Sequence, residues 1–475
     1  MTAALWTLDA MAAAMRADRA GPLPRAIPGL SIDTRTIKPG EAFFAIQGEN
    51  RDGHEFVEAA LKAGAGLAVV SREKAGAMPK NAPLLLVDAV LGALNDLARA
   101  SRARSRARIV AVTGSVGKTS TKEALRLVLG RQGETHAAAA SYNNHWGVPL
   151  TLALMPPSAQ FGVFEIGMNH AGEITPLVEL TRPHVAMITT IAPVHLEFFG
   201  TLEAIADAKA EIFAGVDPGG AAVINADTPQ FARLRAAAQA AGIDRIVAFG
   251  ERDGADARLV KASLQADTST VQAQILGHGV TYKLGAPGRH VVDNSLGVLA
   301  AAHLLGADLA LAALSLAELR APVGRGQRMT IDVPGGSVLL IDESYNANPT
   351  SMGAALALLG RVPTQRLGRR IAVLGDMLEL GPDSAKLHAA LSDAVLENAV
   401  DLVYCAGPLM KSLWDALPSE RRGGYAENSA ALEAEVLKAI TAGDAVMVKG
   451  SLGSRMAPIV KALQRHSVQA EQALG

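Results

Sequence analysis

The sequence predicts an α/β protein of three domains, each a sheet with helices packed on it. Short apolar runs of strand length alternate with longer segments of helical spacing along most of the chain, the mark of a sheet covered by helices. The length of 475 residues, at about 150 residues per domain, suggests about three domains. Two junctions divide the chain, one in the arginine-rich run before Ile109 and one in Ala321–Gly326 (APVGRG).

The composition excludes several classes. Apolar residues at 49% and charged residues at 19% leave ample material for cores and exclude a disordered or collagen-like chain. A formal net charge of -1 gives no reason to expect nucleic acid or an anionic membrane as partner. Cys405 has no second cysteine to pair with and reads as a buried strand end. The N-terminus carries Asp9, Arg16, Asp18 and Arg19 among its apolar residues, which fits an amphipathic helix better than a signal peptide. No run reaches about eighteen uncharged apolar residues, so no membrane insertion is expected. The chain is expected to be a soluble cytoplasmic protein.

The first domain, residues 1–105, contains strand candidates at Ala42–Ile46, Leu67–Val70 and Leu84–Val87, with a helix at Phe56–Ala63 ending at Gly64. The five arginines of Arg99–Arg108 have no aromatic residues among them and read as a solvated helix end and linker. The second domain, residues 106–321, starts with the buried strand Ile109–Thr113 and continues through Gly162–Ile166, Val185–Ile191 and Ala221–Ile224. That pattern implies a mostly parallel sheet. The third domain, residues 322–475, has strands at Val338–Ile341, Ile371–Leu374, Leu402–Cys405 and Ala445–Val448, alternating with helices in a doubly wound, Rossmann-like arrangement.

The strongest chemical signal follows Thr113: Gly114, Ser115, Val116, Gly117, Lys118, Thr119 and Ser120, between a strand and a helix. Glycines let backbone N–H groups approach phosphates, and the helix start adds the positive end of its dipole. Lys118 can meet the outer phosphates and the Thr119 hydroxyl can bind magnesium. The common form of this loop has a glycine where Val112 stands, so this is a shortened TGxxGK[TS] variant. The central domain is thus P-loop ATPase-like. Such a loop alone fits a switch, a motor, a kinase or a ligase.

Three further residues narrow the choice. Glu165 ends a strand, where magnesium-binding acids sit beside phosphate loops. His195 lies beyond another strand end, and Lys209 lies on a helix beside Ile205, Ala208 and Ile212. Taken alone, Lys209 reads as a surface lysine with an apolar stem.

Together these residues resemble the Mur ligases, ATP-dependent enzymes that extend the peptide of a bacterial cell-wall precursor. The resemblance covers essentially the whole chain through Ser31–Phe56, Tyr142–Leu152 (YNNHWGVPLTL), Gly375–Gly381 (GDMLELG) and Val448–Ser451 (VKGS). The segment Asp342–Leu356, DESYNANPTSMGAAL, resembles the branch that adds a dipeptide. The alternatives are a Mur-type ligase adding a single amino acid and a folylpolyglutamate-synthase-like ligase.

The resemblance implies ATP and Mg2+ as cofactors, and UDP-N-acetylmuramoyl-tripeptide and D-alanyl-D-alanine as substrates of a monomer. It implies that Ser31, Thr34 and Arg35 hold the UDP end, with Asp52–His54 nearby, and that Asn143 and Asn144 touch substrate. Lys118 and Thr119 act at the phosphates, while Glu165, His195 and a carbamate formed on Lys209 hold magnesium. Asn294 lies near the adenine, and Arg325, Asp342, Tyr345 and Asn346 near the phosphates, ribose and base. Lys449, Ser451 and Arg455 are candidates for the incoming dipeptide. Leu452 departs from the family pattern, where a polar residue is common.

Overall fold

The computed structural model describes residues 4–139, 141–364 and 368–474. Three large sheets follow one another along the chain, with a small antiparallel pair of Trp6–Thr7 and Ala26–Ile27 near its start, an α/β fold as the sequence predicts.

The first sheet runs, in spatial order, Asp18–Ala20, Leu84–Val87, Leu67–Ser71, Ala42–Phe44 and Leu30–Ser31. Its last four strands are parallel, and Asp18–Ala20 is antiparallel at the edge. The amphipathic helix expected at the N-terminus is Leu8–Met15, with the Thr7 side chain accepting from the Ala10 N–H at its start. It buries Leu8, Met11, Ala12 and Met15.

The central sheet has nine strands. Seven run parallel, in the order Ala257–Leu264, Arg245–Gly250, Ala221–Asn225, Val185–Ile188, Arg108–Thr113, Phe161–Glu165 and Thr135–Ala137. Ser269–Ile275 and His278–Leu284 extend it by antiparallel pairing beyond Ala257–Leu264. This meander is absent from the pattern read in the sequence. Alternate residues of Ser269–Ile275 are buried, which is the signature of a strand with one wet face. The connecting turn is Leu276–Gly277, both with positive φ, the geometry of a tight hairpin.

The third sheet orders Gln327–Val333, Gly336–Glu343, Ala445–Lys449, Arg370–Gly375, Leu402–Ala406 and Arg422–Ala426, all parallel except the first. Cys405 is buried within its strand, as expected.

The arginine-rich run differs from its expected solvated state. Helix Val90–Arg104 carries Arg102 into the protein, where it donates to the Thr181 and Arg182 carbonyls and pairs with Asp217 at 2.8 Å. Arg104 stacks 3.4 Å above the Trp6 ring, and the Trp6 indole N–H donates to the Ala153 carbonyl at 2.9 Å. Arg102 and the Trp6 indole fasten the first domain to the second, and a guanidinium can be buried only where carbonyls, a carboxylate or a ring face receive it.

Candidate active site

The loop after strand Arg108–Thr113 owes its shape to two glycines and a threonine-rich neighbour. Gly114 and Gly117 have φ of +148° and +85°. A Cβ on Gly114 would lie 1.9 Å from Thr189 Oγ1, and one on Gly117 would lie 2.5 Å from Asn294 Nδ2. A side chain at either place would be strained and would have to displace that neighbour. The segment Thr189–Ala192 holds the loop from behind. Thr189 Oγ1 donates to the Val116 carbonyl at 2.6 Å, the Ser115 N–H donates to the Thr190 carbonyl at 2.8 Å, and Ser115 Oγ donates to the Ala192 carbonyl at 3.0 Å.

Helix Lys118–Gly130 starts directly from Gly117, so the N–H groups of its first turn have no acceptor within the helix. Lys118 Nζ donates to the Gly114 carbonyl at 2.7 Å. Burial, with the nearby Arg325, pushes its ammonium below the usual lysine range, and Glu165 opposes that shift. Glu165, at the end of its strand, is buried and accepts from Thr119 Oγ1 at 3.0 Å and from Asn143 Nδ2 at 2.7 Å. A hydroxyl beside a carboxylate is an oxygen donor set that suits a hard divalent cation.

Lys209 is buried, contrary to its surface reading. Helix Leu202–Ala210, capped by Thr201, sets Ile205, Ala206 and Ala208 into the core and takes Lys209 with them. Burial first, and then the charge of Lys118, lower its ammonium well below the ordinary value. His195 stands in left-handed backbone at φ +54° and its Nδ1 lies 2.5 Å from Glu379 Oε2. Burial lowers its imidazole, with Lys118 and Lys209 acting in the same direction and Glu379 against them.

One cavity of about 440 Å3 collects most of these groups, a volume in the range of ligand sites. Ser115 to Ser120, Asn143, Glu165, His195 and Asn294 line it from the central domain. Arg325, Tyr345, Asn346 and Lys449 line it from the third. Arg325 lies over the Tyr345 ring at 4.2 Å, and Lys449, buried, donates to the Asn346 carbonyl at 2.9 Å and pairs with Glu343 at 3.2 Å. Asn348 Nδ2 is buried in the same wall without a partner among the described groups, an unanswered donor of the kind a ligand satisfies.

Other expected residues lie outside that wall. Asp342 is buried in its own turn, its Oδ1 accepting from the Ser344 N–H at 3.0 Å and from Ser344 Oγ at 2.6 Å. Asn144 Oδ1 accepts from the Gly147 N–H at 2.9 Å. Ser451 Oγ accepts from the Leu378 N–H at 3.0 Å, and Arg455 is exposed with φ +53°. Ser31 Oγ accepts from the Asp33 N–H at 3.1 Å, Thr34 occupies the following turn, and Arg35 forms a two-pronged pair with Asp33. That pair raises the Arg35 guanidinium further, and Tyr142 of the central domain acts weakly in the same direction.

Sequence reasoning missed Glu343, Asn348 and Glu379. The first was legible: Asp342 and Glu343 are consecutive on a strand and must face opposite sides. Among the described residues no group of three or more His, Cys, Asp or Glu side chains could hold a metal alone, so a cation here needs further donors. Among the described residues no helix is long and apolar enough to cross a membrane.

The chain is similar to proteins of one family. The chain matches the Mur ligase middle domain over residues 112–302, the Mur ligase glutamate ligase domain over 324–452 and the Mur ligase catalytic domain over 26–102. It is 33% identical to the UDP-N-acetylmuramoyl-tripeptide–D-alanyl-D-alanine ligase of Rickettsia prowazekii, covering 91% of this chain and 94% of that one. The crystal structure of MurF from Acinetobacter baumannii superposes with a TM-score of 0.82 at 28% identity, over 97% of this chain and 99% of that one. The MurF ligase of Thermotoga maritima, solved in complex with ADP, gives a TM-score of 0.76 at 25% identity, over 93% and 98% of the two chains.

The loop geometry has a direct test. Gly117→Ala is expected to weaken nucleotide binding at least about tenfold, since its Cβ collides with Asn294 and its backbone is left-handed. Gly172→Ala, at φ +86° in open space, carries the backbone penalty of about 1–2 kcal/mol alone and should keep its affinity. Calorimetric titration with ADP checks both, and equal affinities would contradict the packing described.

Proposed function

The chain belongs to the Mur ligase family, and we propose that it uses ATP to join D-alanyl-D-alanine to the terminal carboxylate of UDP-N-acetylmuramoyl-tripeptide. The products are the pentapeptide precursor of peptidoglycan, ADP and phosphate. The observation that carries this reading is the single cavity in which Lys118, Thr119 and Glu165 face Arg325, Tyr345 and Lys449. A nucleotide tail and an acid to be activated both fit such a place.

A carboxylate is a poor electrophile, so it must first gain a leaving group. Its oxygen attacks the γ-phosphorus of ATP, a new O–P bond forms, and the bond to the β-phosphate oxygen breaks with its electrons leaving on ADP. The amine of the dipeptide then attacks the acyl phosphate carbon. Phosphate departs, the nitrogen loses a proton, and the peptide bond remains. The first-turn N–H groups of helix Lys118–Gly130 and the Lys118 ammonium offset charge on the phosphates. Arg325 and Tyr345 approach the same nucleotide from the third domain, Asn294 lies beside the base, and Lys449 and Asn143 approach the acyl acceptor.

The donor set fits magnesium, which when bound supplies positive charge at the transferring phosphoryl group. Thr119 and Glu165 would hold it, with His195 and a carbamylated Lys209 as further donors. Lys209 suits that modification because carbon dioxide reacts with the neutral amine, and burial beside Lys118 disfavours the ammonium. We assign residues 1–105 to the UDP end, 106–321 to ATP and 322–475 to the nucleotide's outer side and the dipeptide, in a cytoplasmic monomer.

Two outcomes are expected. Phosphate release should require ATP, the UDP-tripeptide and D-alanyl-D-alanine together, and Lys118→Ala should lower it at least about a hundredfold with an unchanged circular dichroism spectrum. Equal turnover with a free amino acid in place of the dipeptide would contradict the substrate assignment. Incubation with 13C-bicarbonate should give a carbamate carbonyl signal by NMR at pH 8. Because the folded-state value of Lys209 is lowered, the neutral amine persists well below the usual lysine range, and the signal should fade as pH falls through that lowered value. A Lys209→Arg protein with the same signal would contradict the assignment.

A further inference from the structure

His195 and Glu379 come from different domains, and both hold backbone conformations that L-residues avoid. Their φ values are +54° and +61°, each costing on the order of 1 kcal/mol or more. Such conformations persist where the surroundings impose them. Around Glu379 the imposing groups are identifiable. Strand Arg370–Gly375 ends at the loop Asp376–Gly381, and two successive N–H groups of that loop are taken by buried side chains. Met377 donates to His388 Nε2 at 2.9 Å, and Leu378 donates to Ser451 Oγ at 3.0 Å. His388 is fixed in turn, its Nδ1–H donating to the Ser384 carbonyl at 2.7 Å. The Ser451 N–H donates to the Asp376 carbonyl at 3.1 Å. The loop is therefore a rigid projection of the third domain.

Its tip meets the turn that carries His195. Glu379 Oε2 lies 2.5 Å from His195 Nδ1, and the Glu379 carbonyl accepts from the Glu197 N–H at 3.4 Å. Gly381 passes close enough that a Cβ there would lie 3.4 Å from Glu197 Cα. A carboxylate at Nδ1 places the ring proton on that nitrogen and leaves the Nε2 electron pair available.

We propose that Glu379 is a positioning residue for His195, so that docking of the third-domain loop onto the His195 turn completes the cation site of the central domain. The order follows from the geometry. With the domains apart, His195 lacks its carboxylate, and its ring is free to turn. With the loop docked, tautomer and orientation are set together. Ser451 then contributes from a distance, by holding the Leu378 N–H next to Glu379. This inference rests on His195 as a donor to magnesium.

Mn2+ binding to the ADP-loaded full chain, read by electron paramagnetic resonance without turnover, separates the two ideas. Glu379→Ala should lower Mn2+ affinity about tenfold or more, the usual effect of losing a carboxylate behind a metal-binding histidine. Glu379→Gln, whose amide oxygen still accepts from Nδ1–H, should recover most of the loss. His195→Ala should lose at least as much, and the double variant His195→Ala with Glu379→Ala should lose no more than His195→Ala alone. Wild-type affinity in Glu379→Ala alongside a loss in His195→Ala would overturn the coupling and leave His195 as a donor. Wild-type affinity in both would remove His195 from the site and the coupling with it.

Discussion

Positive charge withdrawn from water is the constraint on which the rest of this structure depends. Lys118 and Lys209 lie close enough that the first lowers the second, and Arg325 adds its charge to Lys118. Glu165 is the carboxylate that opposes this at Lys118. Gathering basic groups out of water this way disfavours their charged forms unless an anion arrives. The protein therefore holds them with many unrelated contacts: Thr189 and Ser115 behind the loop, Asn143 on Glu165, and a packed helix beneath Lys209. A polyphosphate relieves the repulsion that the fold maintains.

The same constraint explains why three sheets are needed. The central sheet presents the loop and Glu165 at neighbouring strand ends, because strands Arg108–Thr113 and Phe161–Glu165 are paired and parallel. Parallel pairing brings the two C-terminal ends to one edge, where ligands of open α/β sheets bind. The third sheet supplies Tyr345 and Lys449 from the ends of its own paired parallel strands, Gly336–Glu343 and Ala445–Lys449. The cavity exists only where these two edges face each other. Residues of both domains thus line one cavity.

Much of this was legible in the sequence, for definite reasons. Phosphate chemistry limits the residues at Gly114 to Thr119 so strongly that spacing alone identified the loop. Glu165 was legible because it follows an apolar strand of unmistakable length. Burial of Lys209 was not, since a lysine beside Ile205 and Ala208 has the same local pattern on a surface. The Arg102 contacts depend on Thr181, Arg182 and Asp217, which no local window contains. The Ser269–Leu284 hairpin was hidden because its strands alternate with polar residues and lack the continuous apolar runs of their neighbours. Glu379 lies in a quoted motif, yet its contact with His195 spans 184 residues and two domains. Asp342 and Ser451 illustrate the reverse: conspicuous in sequence, they shape turns that carry Glu343 and Glu379.

The charge account is tested most directly by comparing ADP with adenosine in calorimetric titrations at fixed pH and salt. Adenosine offers the base and ribose without the phosphates. The account predicts measurable binding for ADP, weakening as salt rises, and at least about a hundredfold weaker binding for adenosine, a difference of some 2.7 kcal/mol. Adenosine binding as tightly as ADP would contradict it.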